Sequence, residues 1–233
     1  MGSFPSVTSD QLDSTPARRR RDWLARSRLY LVCEARPGGR DPEEVLRPAL
    51  QAGVDVVQLR EKDADEREIV RAGRVFRRLC DAYDALFIVN DRPELAIACA
   101  ADGVHVGQDD APAHEVRRMV GGDALIGLST HSPEQVDAAS GVDYFCAGPV
   151  YRTPTKPDYA PVGLELVRYA AAHAGVPFFA IGGIDAGNVA AVVQAGARRA
   201  AVVRAIRDAD DPAAAARALR QQIEAALHAG AHS

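Results

Sequence analysis

Residues 54–62 read VDVVQLREK and residues 86–92 read LFIVNDR. Each segment opens as a short run of β-branched and large apolar side chains and closes abruptly in charged or amide groups. Between them the apolar residues recur at helical spacing. The stretch therefore predicts a strand over 54–60, a helix over 65–83 and a second strand over 86–90. Strands joined through a helix run parallel, so the polar ends Gln58-Leu59-Arg60-Glu61-Lys62 and Asn90-Asp91-Arg92 fall on the same side of the sheet.

Working outward, the same alternation covers the rest of the chain. Strands are expected at 28–33, 102–107, 124–129, 143–147, 176–182 and 199–203. Helices are expected near 42–52, 93–100, 112–120, 133–139, 163–173 and 187–195, with an Ala-rich closing helix near 211–228. Eight strand–helix repeats are the number that closes a TIM (β/α)8 barrel, and 233 residues match the about 250 such a barrel occupies. A doubly wound open sheet normally carries a G-x-G-x-x-G turn after its first strand, whereas here that strand runs into Cys33-Glu34-Ala35-Arg36. One catalytic barrel domain is expected over 26–233. Residues 1–25, rich in Ser, Thr, Pro, Asp and Arg, read as a disordered or loosely packed arm. The basic run Arg18 to Arg21 could meet an acidic partner, but a solvated helical start that packs Trp23 and Leu24 onto the barrel is the favoured reading.

A net charge of −4 supplies no basic field for nucleic acid. Cys33, Cys80, Cys99 and Cys146 are widely spaced without a C-x-x-C pair and read as reduced, buried side chains. No apolar stretch approaches the about 20 residues that span a bilayer, so no membrane association and a cytoplasmic location are expected. A homodimer is compatible with the sequence.

Catalytic groups of a (β/α)8 barrel project from the carboxyl ends of its strands, and polar clusters fall there repeatedly. Besides the two quoted first, they are Gly107-Gln108-Asp109-Asp110, Ser129-Thr130-His131, Gly148-Pro149 followed by Thr153-Pro154-Thr155-Lys156, Gly182-Gly183, and Val203-Arg204. Asp91 and Asp110 on neighbouring strand ends can converge on one hard cation, since Mg2+ takes one or two carboxylates and leaves its other positions to water and phosphate. Ion pairing of each carboxylate is the alternative, and Arg60, Lys62 and Lys156 on the same rim favour the metal. Three cations beside a metal suit a multiply charged leaving group such as pyrophosphate. Gly182-Gly183 and a helix starting near Asp185 to Asn188 offer backbone N–H groups and a helix dipole to a second phosphate. Two phosphorylated ligands side by side suggest a transferase. Ser129 reads as a positioning group, His105 as a hydrogen-bonded barrel histidine, and the scattered histidines form no zinc set.

With these residues assembled, the chain over about 28–225 resembles the thiamine-phosphate synthase family. The matching segments are 58–62, 90–92, 102–108 with Asp110, 126–131, 148–151 with 153–156, 181–184 and 201–206. The resemblance implies a TIM barrel that joins hydroxymethylpyrimidine diphosphate to thiazole phosphate with Mg2+, releasing pyrophosphate. It implies that Asp91 and Asp110 hold Mg2+, that Gln58, Arg60, Lys62, Asn90, Ser129 and Lys156 bind the pyrimidine diphosphate, and that Thr153, Thr155, Gly183, Val203 and Arg204 hold the thiazole phosphate. Leu59, Glu61 and Pro154 lie inside the matching segments and join the expected substrate site, with Lys156, Arg60, Lys62 and Ser129 as its catalytic members. Two positions depart from the family pattern: Cys33-Glu34 on strand one, where Thr-Asp is usual, and Arg204 on strand eight, where Ser is usual. A thiazole tautomerase of the same superfamily, or a non-catalytic thiamine-precursor binding protein, is the rival expectation. The set Asn90, Asp91, Asp110 and Lys156 argues against both.

Overall fold

The computed structural model describes residues 15–62, 64–154 and 160–230. Eight parallel strands, β1 (Leu29–Cys33), β2 (Val56–Leu59), β3 (Leu86–Asn90), β4 (Gly103–Val106), β5 (Leu125–Thr130), β6 (Tyr144–Ala147), β7 (Phe178–Ile181) and β8 (Ala200–Val202), pair in sequence order. β8 closes onto β1 through Tyr30 opposite Ala201. The helices between them are α2 (Pro42–Gln51), α3 (Glu66–Ala82), α4 (Pro93–Ala98), α5 (Ala113–Val120), α6 (Pro133–Asp137), α7 (Gly163–His173) and α8 (Val189–Gln194). The short α9 (Arg204–Arg207) and the long α10 (Pro212–Gly230) complete the ring. Asp41, Asp65 and Ser132 cap α2, α3 and α6, each accepting a first-turn N–H.

The strands are buried on both faces, which is why they read as continuous apolar runs rather than alternating ones. Leu31, Val57, Phe87, Val104 and Phe145 face the helices, while Tyr30, Val56, Ile88, Tyr144 and Phe179 fill the barrel interior.

At the amino end of the barrel, three aspartates that immediately precede even-numbered strands tie the odd-numbered ones in place. Asp55 accepts from the N–H of Leu29 at 2.9 Å, Asp102 from Phe87 at 2.9 Å, and Asp143 from Ile126 at 2.8 Å. Each carboxylate is also clamped by arginine: Arg220 on Asp55, Arg77 on Asp102 and Arg117 on Asp143, at 2.6–2.8 Å.

Of the two expectations for residues 1–25, the helical start that packs Trp23 and Leu24 onto the barrel is present, whereas residues 15–25 do not form a disordered or loosely packed arm. Residues 1–14 lie outside the described part, but Pro16–Arg26 form a helix, α1, whose N-cap is Thr15. Arg20 bonds Asp102 at 2.9 Å and Arg21 bonds Asp143 at 2.6 Å, so two of the four basic side chains complete the aspartate clamps of this chain. Leu24 is buried in the interior cluster with Leu86 and Leu125, and α1 stoppers the amino end of the barrel. Long-range ion pairing, absent from local composition, orders this segment.

Candidate functional site

The carboxyl ends of the strands surround a cavity of about 770 Å3. Strand alternation decides what enters it. Gln58 points inward from β2 with 3% of its surface exposed, and Asn90, His105 and Ser129 do the same from β3, β4 and β5. Val32, Cys146, Ile181 and Ala201 supply an apolar floor.

Arg60 and Lys62 continue β2 onto the rim and line the cavity, as do Asp91 beyond β3 and Asp110 beyond β4. Asp91 adopts φ +60°, unusual for a side-chain-bearing residue, and its N–H donates to the His105 carbonyl at 2.8 Å. Burial, and next the neighbouring Asp110 carboxylate, push the Asp91 carboxyl up to about 6, with Arg60 and Lys62 acting in the opposite direction. Asp110 is held by the Gly107 N–H at 2.6 Å. Two carboxyls in mutual contact, Asp91 half-buried and Asp110 exposed, flanked by cations, form an oxygen donor set that suits a hard divalent ion. Among the described residues there is no group of three or more His, Cys, Asp or Glu side chains that could hold a metal ion, so protein ligation of a cation here would rest on these two carboxylates.

Across the cavity, Gly182 and Gly183 take φ +101° and +65°. A Cβ at Gly182 would lie 2.5 Å from the Pro149 Cα and one at Gly183 2.7 Å from the Tyr151 Cβ, so both the conformation and the space require glycine. The expected helix start at Asp185 to Asn188 is corrected: α8 begins at Val189. The N–H of Asp185 donates to the Asn188 side chain at 3.0 Å and that of Gly187 to the Asp185 carboxylate at 2.8 Å, so this turn caps itself instead of presenting those donors to a ligand. Just beyond β8, Val203 and Arg204 line the cavity where the four-residue α9 begins.

The expected site residues divide as follows. Gln58, Arg60, Lys62, Asn90, Asp91, Asp110, Ser129, Thr153, Pro154, Gly183, Val203 and Arg204 converge on the one cavity. Leu59 does not: its side chain points the other way, buried between β2 and the helices. Glu61 also stays off the cavity wall, accepting from the N–H groups of Ala35 and Lys62 and so tying the ends of β1 and β2 together. Thr155 and Lys156 lie outside the described residues. The two departures from the family pattern meet in one ion network, because Glu34 bonds Arg207, Arg207 bonds Asp208 at 2.6 Å, and Arg204 bonds Asp208 at 2.9 Å.

Some lining residues are given no role from sequence: Arg152 is not named there, and Gln108 and His131 stand only as members of strand-end clusters. Arg152 adds a further cation between Tyr151 and Thr153, and Gln108 lines the rim while donating to the Ser129 carbonyl at 2.6 Å. His131 is bonded to the Gly148 carbonyl at 2.5 Å. Their position next to strand ends is the signal that could have found them.

An eight-stranded parallel barrel with acidic, cationic and glycine-built zones on its carboxyl rim is a (β/α)8 barrel of the kind that holds its ligand at the strand ends. Residues 29–206 match the sequence profile described as thiamine monophosphate synthase. The thiamine-phosphate synthase of Acidothermus cellulolyticus is 51% identical over 207 residues, covering 87% of this chain and 98% of that one. That of Saccharopolyspora erythraea is 49% identical, covering 86% and 94%. Among solved structures, the thiamine phosphate pyrophosphorylase of Pyrococcus furiosus superposes with a TM-score of 0.80 at 35% identity, covering 89% of this chain and 99% of that one. The chain belongs to the thiamine monophosphate synthase family.

Proposed function

We propose that this barrel condenses hydroxymethylpyrimidine diphosphate with thiazole phosphate to give thiamine phosphate and pyrophosphate. The observation that carries the reading is the division of one cavity into two anion-binding zones: Arg60, Lys62, Asp91 and Asp110 on one wall, and Gly182, Gly183, Val203 and Arg204 on the other. In the reaction the bond between the pyrimidine methylene carbon and the diphosphate oxygen breaks, and a bond from the thiazole nitrogen to that carbon forms. The electron pair of the broken bond leaves on pyrophosphate.

Most of the catalytic task is then to stabilise the departing charge. Asp91 and Asp110 would hold Mg2+, which when bound neutralises charge on the diphosphate. Arg60 and Lys62 stand beside them as donors to the same oxygens, and Lys156 is assigned the same part from sequence. Gln58, Asn90 and Ser129 line the inner end of the cavity and orient the pyrimidine ring. Glycine-built backbone at Gly183, with Val203, Thr153 and Thr155, receives the thiazole phosphate. Arg204 lends less, because its Nε is committed to Asp208. Among the described residues no helix is long and apolar enough to cross a membrane.

Calorimetric titration tests the two-zone reading. Thiazole phosphate is expected to bind protein already saturated with pyrophosphate and Mg2+. Strict competition between the two anions would reduce the cavity to a single phosphate site and remove the condensation reading.

A further inference from the structure

Beneath the cavity floor, five side chains from five strands form one unbroken line of hydrogen bonds. Gln58 Nε2 donates to the Tyr30 hydroxyl at 2.7 Å, and that hydroxyl lies 2.9 Å from the Tyr144 hydroxyl. Tyr144 lies 3.2 Å from His105 Nδ1, and His105 Nε2 lies 3.0 Å from Ser129 Oγ. Gln58, Ser129 and His105 face the cavity, while Tyr30 and Tyr144 between them are fully buried.

The line has a direction. An amide N–H can only donate, so Tyr30 accepts from Gln58; either hydroxyl can donate in the Tyr30–Tyr144 pair, and we assign the Tyr30 hydrogen to it because Tyr30 has already accepted. With that assignment Tyr144 gives its hydrogen to Nδ1, which places the imidazole hydrogen on Nε2, donating to Ser129. Burial holds both phenols above their ordinary value, so each keeps the hydrogen it passes on. At the two ends, the Gln58 carbonyl oxygen and the Ser129 hydroxyl hydrogen are left for a ligand.

The surroundings are shaped around this line. Phe179 packs edge-on against the Tyr30 and Tyr144 rings at 5.1 and 5.8 Å. A Cβ at Gly127 would fall 2.2 Å from Tyr144 Cζ and 2.4 Å from His105 Nδ1, so the tyrosine–histidine contact exists only because β5 carries glycine there.

The geometry points to Tyr30, Tyr144 and His105 as positioning residues that hold Gln58 and Ser129 in fixed orientation for the pyrimidine ring. The inference rests on the proposed condensation for its substrate, not for its geometry. A buried, continuous line of this kind is cooperative, so breaking its middle loosens both ends.

The test is a double-mutant cycle with Tyr144→Phe, which keeps the ring and deletes the hydroxyl, and Ser129→Ala. Tyr144→Phe is expected to lower kcat/KM for the pyrimidine diphosphate about tenfold, with KM for thiazole phosphate held within about twofold; in the Ser129→Ala background its effect is expected to shrink to under about twofold. Additive losses, or equal losses toward both substrates, overturn the inference. If Tyr144→Phe does not melt cooperatively, Tyr30→Phe carries the same cycle. Long-range proton–nitrogen NMR of the parent protein gives a readout free of activity. His105 protonated on Nε2 alone is expected, and protonation on Nδ1 contradicts the line whether or not the enzyme turns over.

Discussion

Asp91 is a poor free carboxylate, and on the proposed reading it is also a Mg2+ ligand. Its folded-state value of about 6 lies above the 3.8 of an ordinary carboxyl, so between those values the folded chain keeps a proton that the unfolded chain has released. That contribution favours the folded state in acid and is lost as the pH rises through about 6. The same proton competes with a cation. The apparent Mg2+ requirement of the enzyme is therefore expected to rise as the pH is lowered through about 6, measured as Mg2+ titrations of turnover at about pH 5.5 and 7.5. Asp110→Ala removes one of the two carboxylates and should raise that requirement at least about tenfold at either pH. Undiminished activity at low Mg2+ would withdraw the assignment. Arg204 answers to a different neighbour. Because its guanidinium is drawn to Asp208 at 2.9 Å, Arg204→Ser is expected to change KM for thiazole phosphate less than about threefold, or about 0.7 kcal/mol. A tenfold rise confined to that KM would make the side chain a direct phosphate ligand.

Among the elements, the three aspartate clamps explain how parallel strands separated by long crossovers stay in register. Asp143, only 8% exposed at its side chain, receives the Ile126 N–H and two arginines, one of them from α1. Asp143→Ala leaves the Ile126 N–H without its acceptor and takes the carboxylate from two arginines, and is expected to cost about 3 kcal/mol in urea unfolding. Arg18→Ala, on the solvent face of the same helix with a 3.9 Å exposed pair, should leave the midpoint unchanged. Equal effects would mean that α1 does not complete the clamp. The strand and helix periods were legible because each element is long enough to show its apolar repeat. The expected 54–60 and 65–83 differ from Val56–Leu59 and Glu66–Ala82 only where ends fray into caps, such as Asp65. By contrast the docking of α1 could not be read, because the acidic partners of Arg20 and Arg21 lie far along the chain, and four-residue α9 is too short to show a period.

For the whole molecule, closure of the barrel turns separate motifs into one site. Residues that end different strands, from Gln58 on β2 to Arg204 after β8, meet in a single cavity. That convergence could be read from sequence, since strand ends of a (β/α)8 barrel share one face. Side-chain direction beyond the strand ends could not. Leu59 and Glu61 sit between two lining residues and yet leave the cavity wall, and the Tyr30–Tyr144–His105 line depends on spacing across the barrel, which no local pattern encodes. The most direct measurement is product formation by the purified full chain with both substrates and Mg2+, the product being oxidised to its fluorescent thiochrome derivative. Fluorescence that needs both substrates and falls away with excess chelator is the predicted result. No fluorescence from protein shown to bind both ligands would contradict the condensation and leave a binding protein or a tautomerase in its place.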